Sequence, residues 1–234
     1  MSRGLAQSAG TGAGATRLAK LCGLYGIVVD AVEFKLAPLA WARALAEGGA
    51  SVIQLRFKRT PMGEALDQVR RIRSELPEVL LLINDRVDVA MLAEVDGVHL
   101  GDQDLPIAEA RRLLGADRLI GATARSAAEG VARLGEGADH LGVGPVFATS
   151  TKALAVPLLG LEGLRRICSA LPETPVVAIS GINEANIGSV AATGAIAAAL
   201  IGAVGRAADP LRAARLLSER FALGAPKGAP KGAP

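Results

Sequence analysis

The chain has 234 residues, half of them apolar, with 26 basic and 23 acidic side chains and a net charge of +3. That length suits one domain with a sizeable buried core. The basic residues are scattered and aromatic content is only 3%, which argues against a nucleic-acid binder with its basic stripe and interleaved aromatics.

Cys22 and Cys168 lie far apart without metal-ligand spacing, and read as free thiols in a reducing compartment. Arg3, Arg17 and Lys20 punctuate the start without an apolar segment of signal-peptide type. The longest apolar run, Ala195 to Val204, is interrupted by Gly202 and falls short of a membrane span. The expectation is a cytoplasmic protein with no membrane or nucleic-acid partner, for which a homo-oligomer is compatible.

Residues 1–20 read as a flexible leader, 21–222 as a single catalytic domain, and 223–234 as a disordered Gly-Ala-Pro-Lys tail. Within the domain, the apolar run Leu24–Val29 precedes a helix-like stretch, Ala37–Glu47. Val52–Leu55 is followed by Pro61–Glu75, and Val79–Ile83 by Arg86–Ala93. Gly97–Leu100 and Pro106–Leu114 come next, then Leu119–Ala122 and Ser126–Gly135. His140–Val143 leads to Leu161–Leu171, Val176–Ile179 to Asn183–Ala192, and Ile196–Ile201 to Pro210–Phe221.

Most of the short runs are continuously apolar, as strands covered on both faces should be. Ser126-Ala127-Ala128-Glu129 has capping-box spacing, and Pro106 and Pro210 suit first helical turns. An eightfold repeat of strand then helix, with no GxGxxG after the first strand, predicts an α/β fold: a single closed (β/α)8 TIM barrel.

The polar residues gather where the apolar runs end, and parallel barrels place their chemistry at the carboxyl ends of the strands. Gln54, Arg56 and Lys58 alternate, so on an extended segment they share one side, toward the barrel axis. Asp85 and Asp104 end consecutive runs. Each could cap the helix that follows, but as a pair they could share Mg²⁺, which takes one or two carboxylates plus phosphate oxygens.

The stretch Gly142-Val143-Gly144-Pro145-Val146-Phe147-Ala148-Thr149-Ser150-Thr151-Lys152 offers hydroxyls and a cation to an anion. The turns at Ser180-Gly181-Ile182 and Leu200-Ile201-Gly202-Ala203 end the seventh and eighth runs, where such barrels often bind phosphate through backbone amides. His99 reads as a core or rim residue, and His140, early in its run, takes no role.

Five motifs, in order, resemble the thiamine phosphate synthase (thiamine-phosphate pyrophosphorylase) family. They are Gln54-x-Arg56-x-Lys58; Asn84-Asp85-Arg86; Val98-His99-Leu100-Gly101-x-x-Asp104-Leu105-Pro106; the Gly142 to Lys152 stretch with its Thr149-x-Thr151-Lys152; and Ala178-Ile179-x-Gly181-Ile182-Asn183. The resemblance runs from Leu24 to about Ala207.

It implies a transferase that joins 4-amino-2-methyl-5-hydroxymethylpyrimidine diphosphate to 4-methyl-5-(2-phosphoethyl)thiazole, or its carboxylated form, and releases pyrophosphate. Carried over by motif, Arg56, Lys58, Asn84 and Lys152 hold the diphosphate, with Arg56, Lys58 and Lys152 catalytic. Gln54 meets the pyrimidine, and Asp85 and Asp104 bind Mg²⁺. Thr149, Thr151 and the amides around Gly181, Ile201 and Gly202 take the thiazole phosphate.

Four positions depart from the family pattern. Asp102 stands for a glutamine, adding a carboxylate near the expected metal. Thr123 stands for a substrate-side serine, Ser180 for the first glycine of a pair, and Gly202 for a serine. The family's thiazole tautomerase branch expects a histidine where this chain has Arg125, and a guanidinium is a poor general base. A non-catalytic barrel that binds phosphorylated ligands is the alternative of a different class.

Overall fold

The computed structural model describes residues 12–34, 36–149 and 156–226. Eight parallel strands close on themselves in sequence order: β1 (Gly23–Val29), β2 (Ala50–Arg56), β3 (Leu80–Asn84), β4 (Gly97–Leu100), β5 (Leu119–Ala124), β6 (His140–Val143), β7 (Val176–Ile179) and β8 (Ala197–Leu200). The helices between them are α2 (Pro38–Glu47), α3 (Met62–Glu75), α4 (Val87–Leu92), α5 (Ile107–Leu114), α6 (Ala127–Gly135), α7 (Gly160–Ala170) and α8 (Ile187–Ala191). After β8 come a one-turn helix, α9 (Gly202–Gly205), and the closing helix α10 (Pro210–Gly224). The expected barrel is therefore the fold. No described helix is long and apolar enough to cross a membrane.

Closure follows from the sequence pattern. β3, β6 and β8 are buried over nearly their whole length, because helices cover one face and the barrel interior fills the other. β1 pairs with both β2 and β8, which removes every open edge. At Gly97 an added Cβ would strike the backbone of Leu119, so β4 and β5 tolerate no side chain there.

Residues 12–20 depart from the flexible-leader expectation. They form helix α1 (Gly12–Lys20) beside the amino-terminal ends of β4 and β5. Arg17 explains why: its Nε donates to Asp96 Oδ1 at 3.0 Å and its Nη1 to the Asp117 carbonyl at 3.0 Å. Asp96 also accepts from Arg73 at 2.7 Å and from the Leu81 amide at 2.9 Å. α1 is thus tied to a carboxylate that already joins β3 and β4 at the rim opposite the strands' carboxyl ends.

Local signals account for some of the helix boundaries. Ser126 caps α6 by accepting from the Glu129 amide, as the spacing predicts, and Asp209 caps α10 ahead of Pro210. Pro106 falls one residue earlier than expected, at the cap of α5. α8 is shorter than the predicted Asn183–Ala192, because the Asn183 amide donates to Asn186 Oδ1 at 2.8 Å and the Ala185 amide to Asn183 Oδ1 at 2.9 Å. Those side-chain bonds hold the segment in a turn. α10 extends past Phe221 into the region expected as tail, and residues 227–234 of that tail lie outside the described residues.

The barrel interior holds a small cluster of polar rings. His140 is fully buried, its ring centroid 6.2 Å from that of His99 and 6.5 Å from that of Tyr25. Gly121 and Gly142 leave the room, since a Cβ on either would collide with an imidazole. Burial lowers His99 from 6.5 to about 4, against the raising effect of Asp104, and burial with the neighbouring His99 lowers His140 to about 3.

Both rings are therefore neutral in the fold, whereas the unfolded chain takes up their protons first. Stability from this source is complete above pH 6.5 and is lost as pH falls toward these lower values. His140→Phe should flatten the fall in urea-derived stability between about pH 7 and pH 5. An unchanged slope would contradict the buried-neutral assignment.

Candidate active site

The carboxyl ends of β1 to β4 carry the charged half of the rim. Gln54 stays inside the barrel, almost wholly buried, with its Nε2 donating to Tyr25 Oη at 2.8 Å. Burial pushes the Tyr25 phenol well up, so that pair is a neutral polar floor. Arg56 closes β2, half-buried, and Lys58 lies two residues beyond. The Lys58 ammonium is ion-paired with Asp85, and Asn84 Nδ2 donates to the same carboxylate.

Asp85 sits at φ +64, a left-handed conformation uncommon outside glycine and asparagine-like residues. Its amide donates to the His99 carbonyl at 3.0 Å, which fixes that turn against β4. The helix-cap alternative does not hold for either acid. The cap of α4 is Arg86 and that of α5 is Pro106, neither with a side-chain cap bond. Asp104 instead accepts from the Gly101 amide at 2.7 Å, closing the turn after β4. β3 and β4 pair through Asn84 and His99, so both acids leave adjacent strands.

Among the described residues no three His, Cys, Asp or Glu side chains are grouped as a metal site. The expected pair supplies two carboxylates, and one of them already faces a cation. That donor set suits a hard divalent ion whose other ligands come from substrate phosphates and water.

Asp102 does not extend this pair. Its oxygens accept from Arg125 Nη1 and Arg133 Nη2, each at 2.8 Å. The Arg125 hydrogen bond above all holds Asp102 below the usual carboxylate range, despite partial burial, with Arg133 assisting. Asp102 and Arg125 are thus partners that brace the β4 loop against α6.

The other half of the rim is built from small residues and backbone. Thr123 Oγ1 lies 3.3 Å from His99 Nε2. Gly181 has φ +67, and a Cβ there would hit the Ala148 carbonyl and Phe147, so the loops after β6 and β7 are in close contact. Ile201 caps α9 and Gly202 begins it. That one-turn helix was missed in the sequence because four residues carry no periodicity, yet it is the short extra helix such barrels use after their last strands. Gly205 packs it flat on the buried Trp41, with Arg206 4.6 Å over the Phe34 ring. Thr149 lies at the edge of the described loop, and Ser150, Thr151 and Lys152 lie outside the described residues.

A further carboxylate escaped the sequence reading. Asp30, the first polar residue after β1, accepts from the amides of Lys58, Arg59 and Thr60 at 3.0, 2.6 and 2.7 Å. Its position, first after β1, matches that of Asp85 after β3, which is the signal that marks it.

The chain is thus a closed parallel (β/α)8 barrel with cations and carboxylates on one half of its carboxyl-end rim and tight backbone turns on the other. The family model described as thiamine monophosphate synthase matches residues 24–204. A thiamine-phosphate synthase of Anaeromyxobacter dehalogenans is 51% identical over 211 residues, 90% of this chain and 92% of that one. One from Myxococcus xanthus is 44% identical over 86% of this chain and 93% of its own. The solved thiamine phosphate pyrophosphorylase of Pyrococcus furiosus superposes with a TM-score of 0.79 at 36% identity, over 89% of this chain and 98% of that one. The chain belongs to the thiamine monophosphate synthase family.

Ser180 gives a test of the rim's backbone. It holds φ +88, where the resemblance leads one to expect glycine, and its Oγ donates to the Phe147 carbonyl at 2.9 Å. Ser180→Ala keeps the strain and loses the bond, whereas Ser180→Gly loses both. The glycine variant should therefore be more stable than the alanine variant by about 1 kcal/mol, read from paired denaturation curves. An alanine variant as stable as the glycine one would show that the backbone is not strained there.

Proposed function

We propose that this barrel joins the aminopyrimidine diphosphate to the thiazole phosphate, forming thiamine phosphate and pyrophosphate. The observation that carries the residue roles is the meeting of Lys58, Asn84 and Asp85 at the ends of β2 and β3, within a chain of this family. It is a transferase that needs no protein nucleophile.

In the reaction the bond between the pyrimidine methylene and the diphosphate oxygen breaks, and its electron pair leaves with the diphosphate. The 4-amino group delocalises the resulting cation, and the thiazole nitrogen lone pair then forms the new carbon–nitrogen bond. Negative charge grows on the leaving group, so fixed donors aimed at it bind the transition state more tightly than the substrate. Arg56, Lys58 and Asn84 supply such donors from strand ends, and Lys152 adds one from the loop after β6.

Asp85 and Asp104 would hold Mg²⁺, which when bound neutralises diphosphate charge. Gln54, oriented by Tyr25, presents its amide to the pyrimidine. The turns at Gly181 and Ile201–Gly202, with Thr149 and Thr151, would receive the thiazole phosphate, whose charge favours backbone N–H groups. Gly202 in place of serine costs this cup little, because its main donors are amides. A cytoplasmic enzyme that acts on small phosphorylated substrates fits this chemistry.

Asp85→Asn and Asp104→Asn should each remove most turnover while thermal stability stays near that of the parent, and each should weaken Mg²⁺ binding in calorimetry with diphosphate present. Normal turnover in either variant with magnesium would overturn the metal assignment.

Lys152→Ala should slow pyrophosphate release roughly a hundredfold, about 3 kcal/mol of transition-state stabilisation, while thiazole phosphate affinity changes little. Lys152→Arg should rescue only part of that loss, because a planar fork does not reproduce a compact ammonium. An unchanged rate in Lys152→Ala would make the loop a cover with no role in the charge transfer.

A further inference from the structure

The carboxylate of Asp30 accepts four hydrogen bonds from a single neighbouring loop. Lys58 N donates to Oδ1 at 3.0 Å; Arg59 N, Thr60 N and Thr60 Oγ1 donate to Oδ2 at 2.6, 2.7 and 2.9 Å. The β1–β2 register ends on Val29 opposite Arg56, so the two chains leave the sheet side by side. Asp30 then decides how the β2 chain turns before α3. Three successive amides converging on one anion form the backbone concavity known from phosphate sites, here filled by the protein's own side chain.

The chemistry requires a carboxylate. Partial burial would raise the Asp30 pKa, but the amides of Arg59, Thr60 and Lys58 and the Thr60 hydroxyl outweigh it and lower the value. Asp30 is therefore ionised at neutral pH. An asparagine has a single acceptor oxygen, and its NH₂ would face donors.

The loop so held carries Lys58, whose side chain is 46% exposed. Little packing restrains that flexible stem, and a lysine gives up considerable rotamer entropy when fixed. Its aim depends on where its backbone is anchored. We propose that Asp30 is a positioning residue for the diphosphate end of the reaction: it locks residues 58–60 so that the Lys58 ammonium stands against Asp85 at the rim. This rests on the reading that Lys58 holds the diphosphate.

The test is a double-mutant cycle of Asp30→Asn and Lys58→Ala, read as kcat/KM for the pyrimidine diphosphate and KM for the thiazole phosphate. Asp30→Asn should lower the former by ~10²-fold, the cost of displacing a catalytic group by about 1 Å, and leave the latter within about twofold. Added to Lys58→Ala it should cost little more, because both act through one group. Amides 58–60 should also lose hydrogen-exchange protection in Asp30→Asn.

Should Asp30→Asn fail to fold, Thr60→Val removes one of the four donors, and a several-fold loss in the same parameter is expected. An undiminished kcat/KM in a folded variant, or effects that multiply in the double mutant, would overturn the proposal. If Lys58→Ala alone costs nothing, the diphosphate reading fails instead. If Lys58→Ala is impaired and Asp30→Asn is not, only the positioning role fails.

Discussion

Barrel closure is the constraint from which the site follows. With all eight strands paired on both sides and covered on both faces, a charged side chain has almost nowhere to go except a strand end. The interior accepts only neutral polarity: Gln54 bonded to Tyr25, and the two histidines with lowered pKa values. The charges next to the strands are thus expelled to two rims, and others lie on the outer faces of the helices. One rim ties Asp96 to Arg17 and Arg73, and the other gathers Lys58, Asn84 and Asp85, the centre of the proposed site.

The chemical rim divides by the kind of donor it offers. β1 to β4 contribute ionised side chains of both signs at the ends of rigid strands, where the proposed reaction would place the diphosphate. β7 and β8 contribute tight turns and the one-turn helix α9, whose donors are backbone groups. In the proposed reaction, this division would let two anionic substrates approach one another while each is neutralised separately.

The fold was legible in the sequence because buried parallel strands read as apolar runs, and every run from Leu24 to Leu200 became a strand. Boundaries were less legible. β2 begins at Ala50 although Ser51 interrupts its apolar pattern, because pairing with β1 governs it. α1 depends on Arg17 reaching Asp96, 79 residues away, which no local pattern records. The same limit hid Asp30, whose partners lie 28 to 30 residues on. Asp102 read as one more metal-side carboxylate, and only the placement of Arg125 and Arg133 shows it to be spoken for. The motif at Asn84-Asp85 was visible in full, yet its left-handed backbone was not.

The most direct measurement of the central claim is product formation by the full chain given both substrates and magnesium. Stoichiometric thiamine phosphate and pyrophosphate should appear only when the pyrimidine diphosphate and the thiazole phosphate are present together, and chelation of the metal should stop both. Binding of either substrate without turnover, or pyrophosphate release that ignores the thiazole, would contradict it.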